Sequence, residues 1–157
     1  MLDIDNIAKS VHAVYMNSDI VDQNGMPAIY HVLRVFTNCK DEQNVKVLAL
    51  LHDVVEDGLM TFADVYSLLI KSANDPSDAK DIDEIIKGLK YITKPSYVKT
   101  NKQYYLYIES INENYLAKQV KITDLKSNLY NPITRKLTRK DIVRVNKYMK
   151  SLMILEQ

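Results

Sequence analysis

The chain has one cysteine, Cys39, so no disulfide can form within it, and a reducing, cytoplasmic setting is expected. Glycine and proline are scarce, at 3 and 4 of 157 residues, and no segment of sustained apolar/polar alternation stands out as a strand. Tryptophan is missing and phenylalanine occurs only twice, which leaves 11 tyrosines as the abundant aromatic. Neither charge is in excess. With 21 basic and 20 acidic residues the net charge is +1, so the total supplies no field for a polyanion, and no nucleic-acid partner is expected. No apolar run approaches the ~20 residues of a membrane span. The first residues, MLDIDNIAKS, are acidic and amphipathic, unlike the basic start and apolar core of a signal peptide. These absences point to a cytoplasmic protein with no membrane partner, acting as a monomer or homo-oligomer.

What is present is an ordinary globular composition, 46% hydrophobic and 26% charged, in a chain of the length of one domain, residues 1–157. Apolar residues recur at three- and four-residue steps. This spacing predicts an all-α bundle of about eight helices, near 3–16, 28–38, 42–57, 61–73, 79–92, 100–112, 114–130 and 138–155. Turn-like stretches fall between them, among them DQNGMP at 22–27, SANDPSD at 72–78 and YNPIT at 130–134. Thr61 followed by Asp64 is placed to cap the fourth helix.

One stretch does not fit a plain core. In LALLHDVVEDG, residues 48–58, an apolar helix face runs into His52, Asp53, Glu56 and Asp57 and then meets Gly58. Burying charge there is costly unless something compensates it. Read as a helix, the stretch pairs His52 with Glu56 and Asp53 with Asp57, each four residues apart on one side of the cylinder. An adjacent His-Asp offers one imidazole nitrogen and one carboxylate oxygen, a mixture suited to Mn, Fe or Zn. Further ligands have to come from elsewhere. His31 lies beside an apolar face (AIYHVLRVF), and Asp124 interrupts the apolar-periodic VKITDLKSNLY, where a buried carboxylate needs a partner. Together, His31, His52, Asp53 and Asp124 would make a two-His, two-Asp site with positions left for water and a phosphate oxygen.

The order of these residues, a His, then His-Asp, then a distant Asp, resembles the HD phosphohydrolase superfamily. HDVVED at 52–57 is similar to the HDxxED motif of its alarmone-hydrolase branch, the RelA/SpoT hydrolase domain and the small stand-alone alarmone hydrolases. GMPAIYH at 25–31 is similar to that branch's GxPYIxHP, ITK at 92–94 to its VTK or VTD, and VKITDLKSNL at 120–129 to its VKLADRLHNM. The resemblance implies a single helical HD domain that uses Mn²⁺ to hydrolyse a small-molecule nucleotide, most specifically the 3′-pyrophosphate of ppGpp. It implies that His31, His52, Asp53 and Asp124 hold the metal. Glu56 and Asp57 would orient or deprotonate the attacking water, and Asn128 would contact the nucleotide.

The chain departs from the family at defined places. The proline after the first histidine is Val32, and the tyrosine of PYI is Ala28. The basic pair that reads the guanine side aligns with Ile20 and Val21, and the arginine two residues after the asparagine is Tyr130. Phosphate contacts are therefore expected from Lys94, Arg34 and Lys121, with Lys99, Lys102 and Arg135 as further cations. Tyr104, Tyr105 and Tyr107 suit core packing more than a stacking platform. His12, Cys39 and the basic run at 134–140 are read as structural or solvated. Two alternatives stay open: a phosphatase of another phosphorylated nucleotide such as NADPH, and a nucleotide-binding module without catalysis.

Overall fold

Several helix starts are set by short polar side chains that satisfy the first free amides. Thr61 Oγ1 accepts from the Asp64 amide while the Asp64 carboxylate accepts from the Thr61 amide, the reciprocal box expected from the sequence. Thr100 and Gln103 repeat it, and Asp3 and Asn114 cap single-handedly. The computed structural model describes residues 1–157. Its eight helices are α1 (Ile4–Met16), α2 (Ile29–Asn38), α3 (Gln43–Leu51), α4 (Phe62–Lys71), α5 (Asp78–Ile92), α6 (Asn101–Ile111), α7 (Tyr115–Tyr130) and α8 (Arg139–Leu155). There is no strand; a lone bridge joins Val21 to Pro27. The fold is all-α, and no helix is long and apolar enough to cross a membrane.

Two helices form the axis. Helix α3 buries Val45, Val47, Leu48, Ala49, Leu50 and Leu51, leaving it no wet face over its second half. It packs on α1, α2, α5 and α7, and α7 in turn packs on α2, α3, α5, α6 and α8. Each fully buried Leu, Ile or Val contributes on the order of 1.5–3 kcal/mol. This is why the polar residues carried into the interior by α3 and α7 are held in one place.

Seven helices begin and end within two residues of the sequence expectation; α3 does not. It was expected to run to residue 57 and instead ends at Leu51. The cause is His52. Its Nδ1 lies 2.7 Å from the Ala49 carbonyl oxygen, the acceptor that a continuing helix would offer to the amide of residue 53. Residues 52–58 then wind as irregular turns, with Val54 N bonded to Leu51 O at 3.1 Å and Asp57 N to Asp53 O at 2.8 Å. Gly58 closes the segment at φ +72°, a left-handed conformation natural to glycine. The regular His52–Glu56 helical pairing is therefore corrected. His52 is buried, whereas Glu56 is exposed.

Candidate metal centre

Helix α2 delivers His31 from its first turn, the turn that follows α3 delivers His52 and Asp53, and the middle of α7 delivers Asp124. The ligand atoms of His31, His52 and Asp124 all lie within 4.8 Å of one another. Their side chains are 11%, 1% and 5% exposed, so the cluster is screened from bulk water. His31 Nε2 is 2.9 Å from Asp124 Oδ1. Asp53 flanks the trio, its Oδ2 3.7 Å from His31 Nε2 and 3.2 Å from His52 Nε2.

The decisive atom is His52 Nε2. It is buried and has no hydrogen-bond partner, although it faces Asp53 Oδ2 at 3.2 Å and Asp124 Oδ1 at 3.8 Å. With Nδ1–H donating to Ala49 O, the neutral ring presents the Nε2 lone pair toward two carboxylates. Such an arrangement requires a positive charge between the groups. Without a metal a proton supplies it: burial pushes the His52 pKa down, but the Asp53 and Asp124 carboxylates outweigh this and hold it well above the ordinary value. A divalent cation supplies it equally, and the tautomer fixed through Nδ1 is the one a metal ligand needs. The residues present fit a divalent metal ion bound by mixed imidazole and carboxylate donors.

Asp124 is supported on every side. Oδ1 accepts from Asn128 Nδ2 at 3.0 Å, and Oδ2 accepts from Lys121 Nζ at 2.8 Å. Burial alone would raise its pKa, yet Lys121 and the two imidazoles keep the carboxylate ionised well below its ordinary range.

No model of a known protein family matches the chain, and no curated protein matches it. His31, Asp53, Asp124, Asn128 and Lys121 line one cleft of roughly 270 Å³, together with Glu56, Asp57, Lys94 and Arg34. Nine of the ten residues singled out from the sequence thus face a common space, with His52 behind them. Glu56 Oε1 accepts from the Lys94 amide at 2.8 Å, which ties the end of the 52–58 turn to the segment after α5. Asp57 Oδ2 accepts from the Tyr15 hydroxyl at 2.7 Å. Burial and the neighbouring Asp53 raise the Asp57 pKa above the ordinary carboxylate value.

The weaker cation candidates lie elsewhere. Lys99 and Lys102 do not line the cleft, and Arg135 forks onto Asp141 with both bonds at 2.9 Å. Tyr104 and Tyr107 are buried in the core as expected and also reach the cleft wall, whereas Tyr105 does not. Ile20 and Val21 also line it, so the altered positions sit directly on the space a ligand would occupy. Among the contributors not singled out from the sequence are three from α1 and α8, beside Asp22, Gln23 and Asn131 in the turns. Lys147 and Tyr148 enter from α8, and Tyr15 enters from α1 to hold Asp57. Nζ of Lys147 stands 4.5 Å from the Tyr104 ring centroid. Burial and the nearby Lys94, Lys121 and Arg144 lower its pKa, the signature of a lysine in a crowded cationic wall. In the sequence these three read as one more tyrosine at an apolar step and a charged face of the last helix.

Proposed function

We propose that this cleft is the active site of a metal-dependent nucleotide phosphohydrolase of the HD type, most specifically a hydrolase-only alarmone hydrolase that removes the 3′-pyrophosphate of ppGpp using Mn²⁺. The observation that carries the reading is the unpartnered, buried His52 Nε2 set between two carboxylates and beside His31. A bound divalent ion there would polarise a phosphoryl oxygen and lower the pKa of water. The protein's own groups do the rest. Glu56 and Asp57 line the same cleft as the ligand set, where a carboxylate can take the proton of an attacking water, for about 10²–10⁴-fold in rate. Lys121, Lys94 and Lys147 supply positive charge against the phosphate groups. Asn128, held by Asp124, offers an amide to the sugar side.

The test is direct. The purified protein with Mn²⁺ is expected to release pyrophosphate from ppGpp, and Asp53→Ala is expected to abolish release; normal turnover by that variant overturns the assignment. The apolar Ile20 and Val21 on the cleft wall favour a second substrate, a different phosphorylated nucleotide such as NADPH. Orthophosphate release from NADPH with no pyrophosphate from ppGpp selects that reading. Tight binding of both with neither product leaves a nucleotide-binding module.

A further inference from the structure

Arg34 follows His31 by one turn of α2 and lines the cleft, yet nothing in the protein neutralises it. It forms no ion pair. Its Nε is buried without a hydrogen-bond partner, the same condition that singles out His52 Nε2, and these are the only two such side-chain atoms in the structure. A buried donor left unmade is costly, and on a guanidinium more so. The group is also on a boundary. A second cavity of roughly 530 Å³ lies between α2 and α7 and shares Arg34 and Asn131 with the first. The two spaces differ in charge. The first is lined by five carboxylates, Asp22, Asp53, Glu56, Asp57 and Asp124, facing the lysines Lys94, Lys121 and Lys147. The second contains no carboxylate, and its cations are Arg34 and Lys126. Lys126 is spoken for by Glu156 at 2.7 Å, which leaves Arg34 as the free positive charge. Asn38, Ser127 and Asn131 add neutral hydrogen-bonding groups around it.

We propose that Arg34 and the α2–α7 cavity form a second anion subsite, in which a phosphate not consumed in the reaction is held while the reacting phosphate lies at the His31–His52–Asp124 cluster. The preferred ligand is a nucleotide bearing two separated phosphate groups. The inference rests on the proposed function for the position of the reacting phosphate, but the subsite itself is a binding property. A planar guanidinium whose terminal N–H groups make no hydrogen bond within the protein can fork onto a phosphate, and a lysine in its place keeps charge without the fork.

Calorimetric titration of the Mn²⁺-loaded full chain with the 3′,5′-bisphosphates of guanosine and adenosine, against the corresponding 3′-monophosphates, tests this. At least one bisphosphate is expected to bind about tenfold tighter than its monophosphate. Arg34→Gln is expected to remove that preference while changing monophosphate affinity by less than about twofold. Arg34→Lys recovers part of it. Bound Mn²⁺ and thermal midpoint, measured on the same samples, are expected to be unchanged or raised in Arg34→Gln, because the variant removes an unpaired buried donor. Equal weakening of both ligands, no effect on either, or no binding of any of the four by the wild type overturns the subsite. An Arg34-dependent preference without hydrolysis of any nucleotide would sink the reaction and leave the subsite standing. Hydrolysis without the preference does the reverse.

Discussion

Lys121 and Asp124 form an ion pair within one turn of α7, Nζ 2.8 Å from Oδ2, with side chains 14% and 5% exposed. Burial lowers the Lys121 pKa, but Asp124 and the facing tyrosines more than restore it, so the lysine stays charged in the interior. Removing one partner strands the other. Asp124→Ala is expected to cost about 3–5 kcal/mol in urea unfolding of the metal-free protein. The double variant Asp124→Ala, Lys121→Met should regain most of that loss. If the double variant is no more stable than the single one, the stranded lysine is not the cause.

Metal should stabilise the fold through His52. An ion that binds only the folded chain adds about 2.7 kcal/mol at a hundredfold excess over Kd. Mn²⁺ is expected to raise the thermal midpoint and a chelator to reverse it. His52→Ala should remove the response, since its Nε2 is the atom with no other partner. An unchanged Mn²⁺ shift in that variant would count against the metal centre.

Gly58 isolates a backbone effect. A Cβ added there meets no atom within 4 Å, but the residue sits at φ +72°. Gly58→Ala should therefore cost about 1 kcal/mol through conformation alone, and Gly58→Asn should cost less, because asparagine tolerates the left-handed region better. Chemical denaturation midpoints of the two variants give the comparison.

Acid sensitivity is expected at the α8 start. The Asp141 carboxylate accepts two bonds from Arg135 at 2.9 Å and one from the Thr138 amide at 2.8 Å. Arg135 and these donors hold its pKa well below the usual 3.8. A carboxyl depressed in the folded state binds protons more readily when unfolded. Its stabilisation is therefore complete above pH 3.8 and is lost as pH falls below it. Thermal midpoints between pH 5 and 2 should fall less steeply for Asp141→Asn than for the wild type.

Tyr15 offers a check on the carboxylate pair. Its hydroxyl is the donor to Asp57 Oδ2 at 2.7 Å. Tyr15→Phe is expected to cost about 1–2 kcal/mol in stability and to reduce turnover on whichever nucleotide is hydrolysed, without loss of bound metal. Undiminished turnover shows that Asp57 needs no fixing from α1.

The helical fold was legible because its signals are local. Scarce glycine, polar caps such as Thr61–Asp64 and three- and four-residue apolar steps act within a few residues, and seven helices obeyed them. The end of α3 was not legible, because His52 takes the Ala49 carbonyl with its own ring, a side-chain event that apolar spacing does not encode. In the site, His31, His52, Asp53 and Asp124 stood out as charge placed against apolar faces. Lys147, Tyr148 and Tyr15 gave no such contrast: their relevance comes from which helix ends beside the cleft, a property of packing. The unpaired state of Arg34 was equally invisible, since only the finished structure shows that no carboxylate reaches it.

His31 and Asp124 are separated by 93 residues yet meet at 2.9 Å. A cation bound by both would tie these distant segments together in the folded chain alone, in a protein whose lone Cys39 is buried and can form no disulfide. The candidate ligands His31, His52 and Asp124 come together only when α2, the turn after α3 and α7 are all docked. Ion uptake during refolding should then coincide with the last packing step, making the metal a reporter of finished assembly.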